Sequence, residues 1–89
     1  MSKKRRKLNK DFEKKINLSK KNVELILAKI YDINDEDIQK EYMSAFNGVV
    51  NSYDLVKINY EQQGFHDNSE ELLKKYENAF NLFESEFEI

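Results

Sequence analysis

The stretch Asp35–Gln63, DEDIQKEYMSAFNGVVNSYDLVKINYEQQ, decides how this chain folds. Projected as an α-helix at about 100° per residue, Ile38, Tyr42, Ala45, Phe46, Val49, Tyr53, Val56 and Tyr60 fall on one face. Asn47-Gly48 lies in the middle, and that dipeptide commonly marks a turn. The apolar stripe nevertheless keeps its phase across the pair, and two helices separated by a reversal have no reason to stay in phase. On this projection Asn47 and Gly48 occupy the polar side, where Gly costs about 1 kcal/mol relative to Ala. The stretch therefore reads as one long central helix. A break at Asn47-Gly48, giving a four-helix bundle, is the alternative.

Both ends of the stretch carry stop signals. Asn34 is placed to cap the start, and Asp35, Glu36 and Asp37 put negative charge where the helix dipole favours it. At the finish, Gly64 supplies a left-handed position and Phe65 can fold back on Tyr60, the pattern of a Schellman cap.

Upstream, Leu8, Phe12, Ile16, Val23, Ile26, Leu27 and Ile30 share one face, so a first helix is expected from about Leu8 to Tyr31. Ser19 falls within that face. A short break at Asn17-Leu18-Ser19, with Ser19 capping a second segment, is the competing reading. Asp32-Ile33-Asn34 is long enough for an antiparallel turn. Downstream, His66 to Ser69 form the second turn, with Asn68 and Glu71 spaced as a capping box. Leu72, Leu73, Tyr76, Ala79, Phe80, Phe83 and Phe87 then line a last helix. Its acidic finish opposes the helix dipole and predicts fraying.

The sum is an all-α, antiparallel three-helix bundle with a long central helix. Eighty-nine residues, no Pro and only two Gly suit one small helical domain over residues 8–89, behind a basic arm over residues 1–7 that charge repulsion is expected to keep disordered. The central helix, about 43 Å long at 1.5 Å per residue, outruns the last, so part of it needs cover from the first helix or from another molecule.

Charge is unevenly distributed. Residues 1–21 hold ten Lys or Arg against Asp11 and Glu13, a local charge of +8. Residues 22–89 hold five Lys or Arg against fifteen Asp or Glu, a local charge of −10. Lys3, Lys4, Arg5, Arg6 and Lys7 form the cluster, and Lys10, Lys14 and Lys21 extend it along the side of the first helix opposite its apolar face. Such a row can neutralise several phosphates and bind nucleic acid or nucleoprotein without choosing a sequence, or contact another acidic partner. It also fits a solubilising tail or an arm that pairs with the protein's own acidic body. Leu55 and Ile58 point away from the central stripe and are candidates for a protein interface or self-association, although single exposed apolar residues are common.

Several classes of chemistry find no support in the sequence. Cysteine is absent, so disulfides, thiolate metal sites and cysteine nucleophiles are excluded. His66 is the only histidine, and one His without a second a turn away forms no metal site. Acidic pairs such as Asp35/Glu36 and Glu70/Glu71 stand at helix starts, where capping explains them. Tyr42, Tyr53, Tyr60 and Tyr76 share apolar faces with phenylalanines and read as core rather than as a stacking platform for bases. No apolar run approaches the roughly 18 residues of a membrane span, and no apolar segment follows the basic start as in a secretory signal.

Phe46-Asn47-Gly48 resembles the Trp-x-Gly hinge of WXG100-type helical hairpins, with Phe in place of Trp and the stripe running through the hinge position. The expectation is a cytoplasmic, non-catalytic protein that works by macromolecular contact, with no cofactor, no metal, no membrane and no small-molecule substrate. A small acidic inhibitor or immunity-type protein that blocks a protein target is the rival.

Overall fold

Three helices follow one another in a computed structural model that describes residues 3–87, with side chains from Asn9 to Phe87. They are α1 (Lys3–Tyr31), α2 (Glu36–Gln63) and α3 (Ser69–Glu86), and no strand occurs among the described residues. α1 starts five residues ahead of the onset marked by Leu8. Lys and Arg are good helix formers, and extending a helix already nucleated downstream costs little. The arm expected to be disordered falls on residues 1–7, whose side chains lie outside the described residues.

α2 is unbroken through Asn47-Gly48. A Cβ placed on Gly48 would meet nothing within 4 Å, so this glycine relieves no crowding and is carried as a local weakness of the helix. α1 is likewise continuous through Asn17-Leu18-Ser19. There the buried Ser19 hydroxyl donates to the Lys15 carbonyl at 2.9 Å, which satisfies it without ending the helix.

Three details of the caps differ from expectation. The N-cap of α2 is Asp35 and not Asn34: its carboxylate accepts from the N–H groups of Asp37 and Ile38, at 3.0 and 3.1 Å. Both residue types can cap, and an ionised side chain gains more at the positive end of the dipole. At the other end, the Gly64 N–H donates to the Tyr60 carbonyl at 2.7 Å. Gly64 has φ 69° and ψ −163°, a region almost confined to glycine, in place of a left-handed helical residue. The Phe65 N–H therefore turns away from α2 and finds Asn9, so no Schellman pair forms. Asn68 makes no side-chain cap to α3. The turn is held instead by Ser69, whose hydroxyl accepts from the His66 N–H while its own N–H donates to the His66 carbonyl.

The core is the predicted set of faces brought together. Phe12, Ile16, Val23, Ile26 and Ile30 of α1 are buried with Phe46, Val49, Tyr53 and Val56 of α2 and Leu73, Tyr76 and Phe83 of α3. Phe46 is fully enclosed, with Phe80 and Phe83 at ring-centroid distances of 6.4 and 4.8 Å. Ile38 is the exception to the central stripe. It is 43% exposed, because it lies one turn into α2 where the bundle opens towards the α1–α2 turn.

α1 supplies the cover that α3 is too short to give α2 alone. At one end of the pair, Asn9 and Phe12 meet Tyr60 and Phe65. At the other, the Gln39 side-chain amide donates to the carbonyls of Ile30 and Tyr31 where α1 stops, joining the Ile33 N–H on the Ile30 carbonyl. Helices α1 and α3 both run antiparallel to α2 and thus parallel to each other. They meet through side chains, with the Tyr76 hydroxyl donating to the Ser19 carbonyl at 3.4 Å, and they leave a groove between them.

Candidate functional site

The basic face of α1 is held in place by its apolar face. Phe12 packs on Tyr60 and Phe65 at centroid distances of 5.6 and 5.4 Å. Beside it, the Tyr60 hydroxyl donates to the Asn9 carbonyl at 3.2 Å. These contacts set the rotation of α1, and with it the direction of Lys10, Lys14, Lys20 and Lys21.

Lys10, Lys14 and Lys21 are exposed as expected, with Lys20 beside them. Lys3, Lys4, Arg5, Arg6 and Lys7 belong to α1 by backbone, while their side chains lie outside the described residues. Asn9 is level with the Gly64–Phe65 turn, so the six residues before it carry α1 about 9 Å further. The first turn of α1 holds no acidic residue. Cations at that end oppose the helix dipole, at some 0.3–1 kcal/mol each where exposed.

Leu55 and Ile58 are 59% and 50% exposed. Both lie on the side of α2 turned away from α1 and α3, so they are not continuous with the basic face. Leu18 and Leu25 on α1 are each 60% exposed, and Leu18 lines the α1–α3 groove. That groove has a volume of about 350 Å³ and is lined from α1 by Lys15, Leu18 and Asn22 and from α3 by residues including Tyr76, Glu77 and Glu84. It escapes sequence reading because it depends on the spacing between two helices.

Burial raises the Tyr53 hydroxyl pKa above its ordinary value, and Asp54, Glu24 and Glu61 add to the effect. Tyr60 is raised by burial and by Glu13, and Tyr76 is raised by burial, partly offset by the Ser19 side chain beside it. All three are therefore neutral hydroxyls at physiological pH. His66 sits in the α2–α3 turn with Nε2 against Asn59 Oδ1, and its Nδ1 accepts from the Asn68 N–H at 3.1 Å. Both ring nitrogens are thus used locally.

Among the described residues, no group of three or more His, Asp or Glu is placed to hold a metal ion. No helix there is long and apolar enough to cross a membrane. No family model matches this chain, and no similar curated protein or solved structure was found.

Proposed function

We propose that this is a non-catalytic, cytoplasmic helical binding protein that uses the basic length of α1 to contact nucleic acid or nucleoprotein. One observation carries the reading: a charge of +8 over residues 1–21 faces a charge of −10 over the rest, and both lie in one chain. Lys3, Lys4, Arg5, Arg6 and Lys7 would supply most of the phosphate contacts, and Lys10, Lys14 and Lys21 the continuation along the helix. Phosphates docked at that end would relieve both the crowding of like charge and the opposition to the helix dipole. Contacts of this type give affinity and little sequence choice.

The rival, an acidic inhibitor or immunity-type protein that blocks a basic site, draws on the carboxylates of α3. It is disfavoured by the basic segment, which the same target site would repel. Removing residues 1–7 separates the two. Under the first reading, nucleic-acid binding falls steeply and loses much of its salt dependence. If binding is absent, or is indifferent to the deletion, that reading fails.

A further inference from the structure

The cross-section of α1 limits which polyanion its basic row can take. At about 100° per residue, Lys10, Lys14 and Lys21 fall within about 40° of one another, on the side opposite the buried Phe12, Ile16 and Val23. All three lysines are exposed. Lys3 and Lys7 hold the same register along the helical backbone, so the row runs for about 27 Å from Lys3 to Lys21. Exposed carboxylates flank it. Asp11 lies about 80° to one side of the row and Glu13 about 80° to the other. The positive charge is a single narrow line.

That section decides how phosphates can approach. A helix sunk in the major groove of a duplex has one phosphate backbone along each flank, and here each backbone would meet a carboxylate. A single backbone lying along the crest of α1 meets lysines instead. Bases find nothing to stack on. Phe12 is buried, Tyr60 and Phe65 pack against it at 5.6 and 5.4 Å, and the exposed Tyr31 lies about 15 Å beyond Lys21 along the helix. Residues 22–89 carry a charge of −10, which keeps a polyanion from wrapping onto α2 and α3.

We propose that α1 takes the phosphate backbone of a double helix, along one strand and without reading bases, in preference to single-stranded nucleic acid. This rests on the reading of α1 as the polyanion-binding element. A double helix suits the row for two reasons. It is stiff and regular, as is the unbroken α1, so docking freezes little on either side. Its charge is also denser, and each contact releases more counterion: the slope of log K against log salt is about −0.9 per contact on duplex DNA and about −0.7 on a single strand. Over the five lysines of the row this difference sums to about one unit of slope, a tenfold advantage for the duplex at about 0.1 M salt. A single strand recovers such a deficit by stacking its bases, and this face offers no ring.

The test is fluorescence anisotropy of the full chain over a salt series, with a duplex DNA, a duplex RNA and a single strand of equal length, each in two unrelated sequences. Both duplexes should bind about tenfold tighter than the single strand at about 0.1 M salt, with a slope steeper by about one unit and little change between sequences. Whichever duplex binds tighter identifies the source of the backbone. Lys10→Gln/Lys14→Gln/Lys21→Gln, with circular dichroism checking that the helices persist, should flatten the duplex slope by up to about 2.7. A single strand that binds as tightly as the duplexes overturns the proposal while leaving α1 a polyanion binder. So does a tenfold difference between the two sequences of a duplex, or a duplex slope unmoved by the triple variant. Binding to none of the three removes the polyanion-binding reading itself.

Discussion

The side-chain carbonyl of Asn9 accepts the backbone N–H of Phe65 at 3.0 Å, fastening α1 to the turn between α2 and α3 across fifty-six residues of sequence. The Asn9 backbone carbonyl takes the Tyr60 hydroxyl, so one residue serves both the end of α2 and the turn after it. Asn9→Ala would leave the part-buried Phe65 N–H without its acceptor. The expected loss is about 1–2 kcal/mol of stability in urea unfolding, from the cost of an unmade hydrogen bond. An unchanged midpoint would mean that water serves Phe65 equally well.

The two glycines should answer to alanine in opposite ways. At Gly48 the helix is regular and the space for a methyl group is open, so Gly48→Ala should stabilise by about 0.5–1 kcal/mol. At Gly64, φ is 69° and ψ is −163°, a conformation that alanine adopts only under strain of about 1–3 kcal/mol. Thermal melts of the two variants should move apart. Destabilisation by Gly48→Ala would revive the break at Asn47-Gly48.

Capping of α2 is testable by a neighbouring pair. Asp35→Ala removes the acceptor for two orphan N–H groups and should cost about 1 kcal/mol, whereas Asn34→Ala should be close to neutral. Equal losses in chemical denaturation would contradict the assignment of Asp35 as the cap.

That shift of one residue illustrates what was legible in the sequence. The apolar stripes of α1, α2 and α3 are set by a period that persists for many turns, so their faces and continuity could be read directly. Phe12, Phe46, Tyr53, Tyr76 and Phe83 are all buried. Caps depend on a single residue, and both Asn34 and Asp35 are competent, so composition did not choose between them. The partners of Asn9, Gln39 and Ser69 were not readable, because each bond depends on how segments pack after the helices exist. Of the candidate site, the exposure of Lys10, Lys14, Lys21, Leu55 and Ile58 was legible, whereas the groove beside Leu18 was not.

Alkaline pH should weaken the fold before the ordinary carboxylates and lysines are asked to explain it. Burial raises the pKa of Tyr53, Tyr60 and Tyr76 above the ordinary 10.0. The folded chain then holds those protons to higher pH than the unfolded chain. This contribution to stability is intact below about pH 10 and is lost as pH rises through the folded-state values. Melting temperature should fall above that pH, and Tyr53→Phe should flatten the fall. A Tyr53→Phe curve parallel to wild type would remove Tyr53 from the account.

The central claim is that the basic length of α1 binds polyanions, and its most direct test is the salt dependence of nucleic-acid affinity. Fluorescence anisotropy with a labelled duplex would compare the full chain with a chain lacking residues 1–7. Each phosphate contact on duplex DNA contributes about −0.9 to the slope of log K against log salt. Loss of Lys3, Lys4, Arg5, Arg6 and Lys7 should therefore flatten the slope by up to roughly 4 and weaken binding at every salt concentration. Identical slopes for the two chains, or no binding by the full chain at low salt, would contradict the claim.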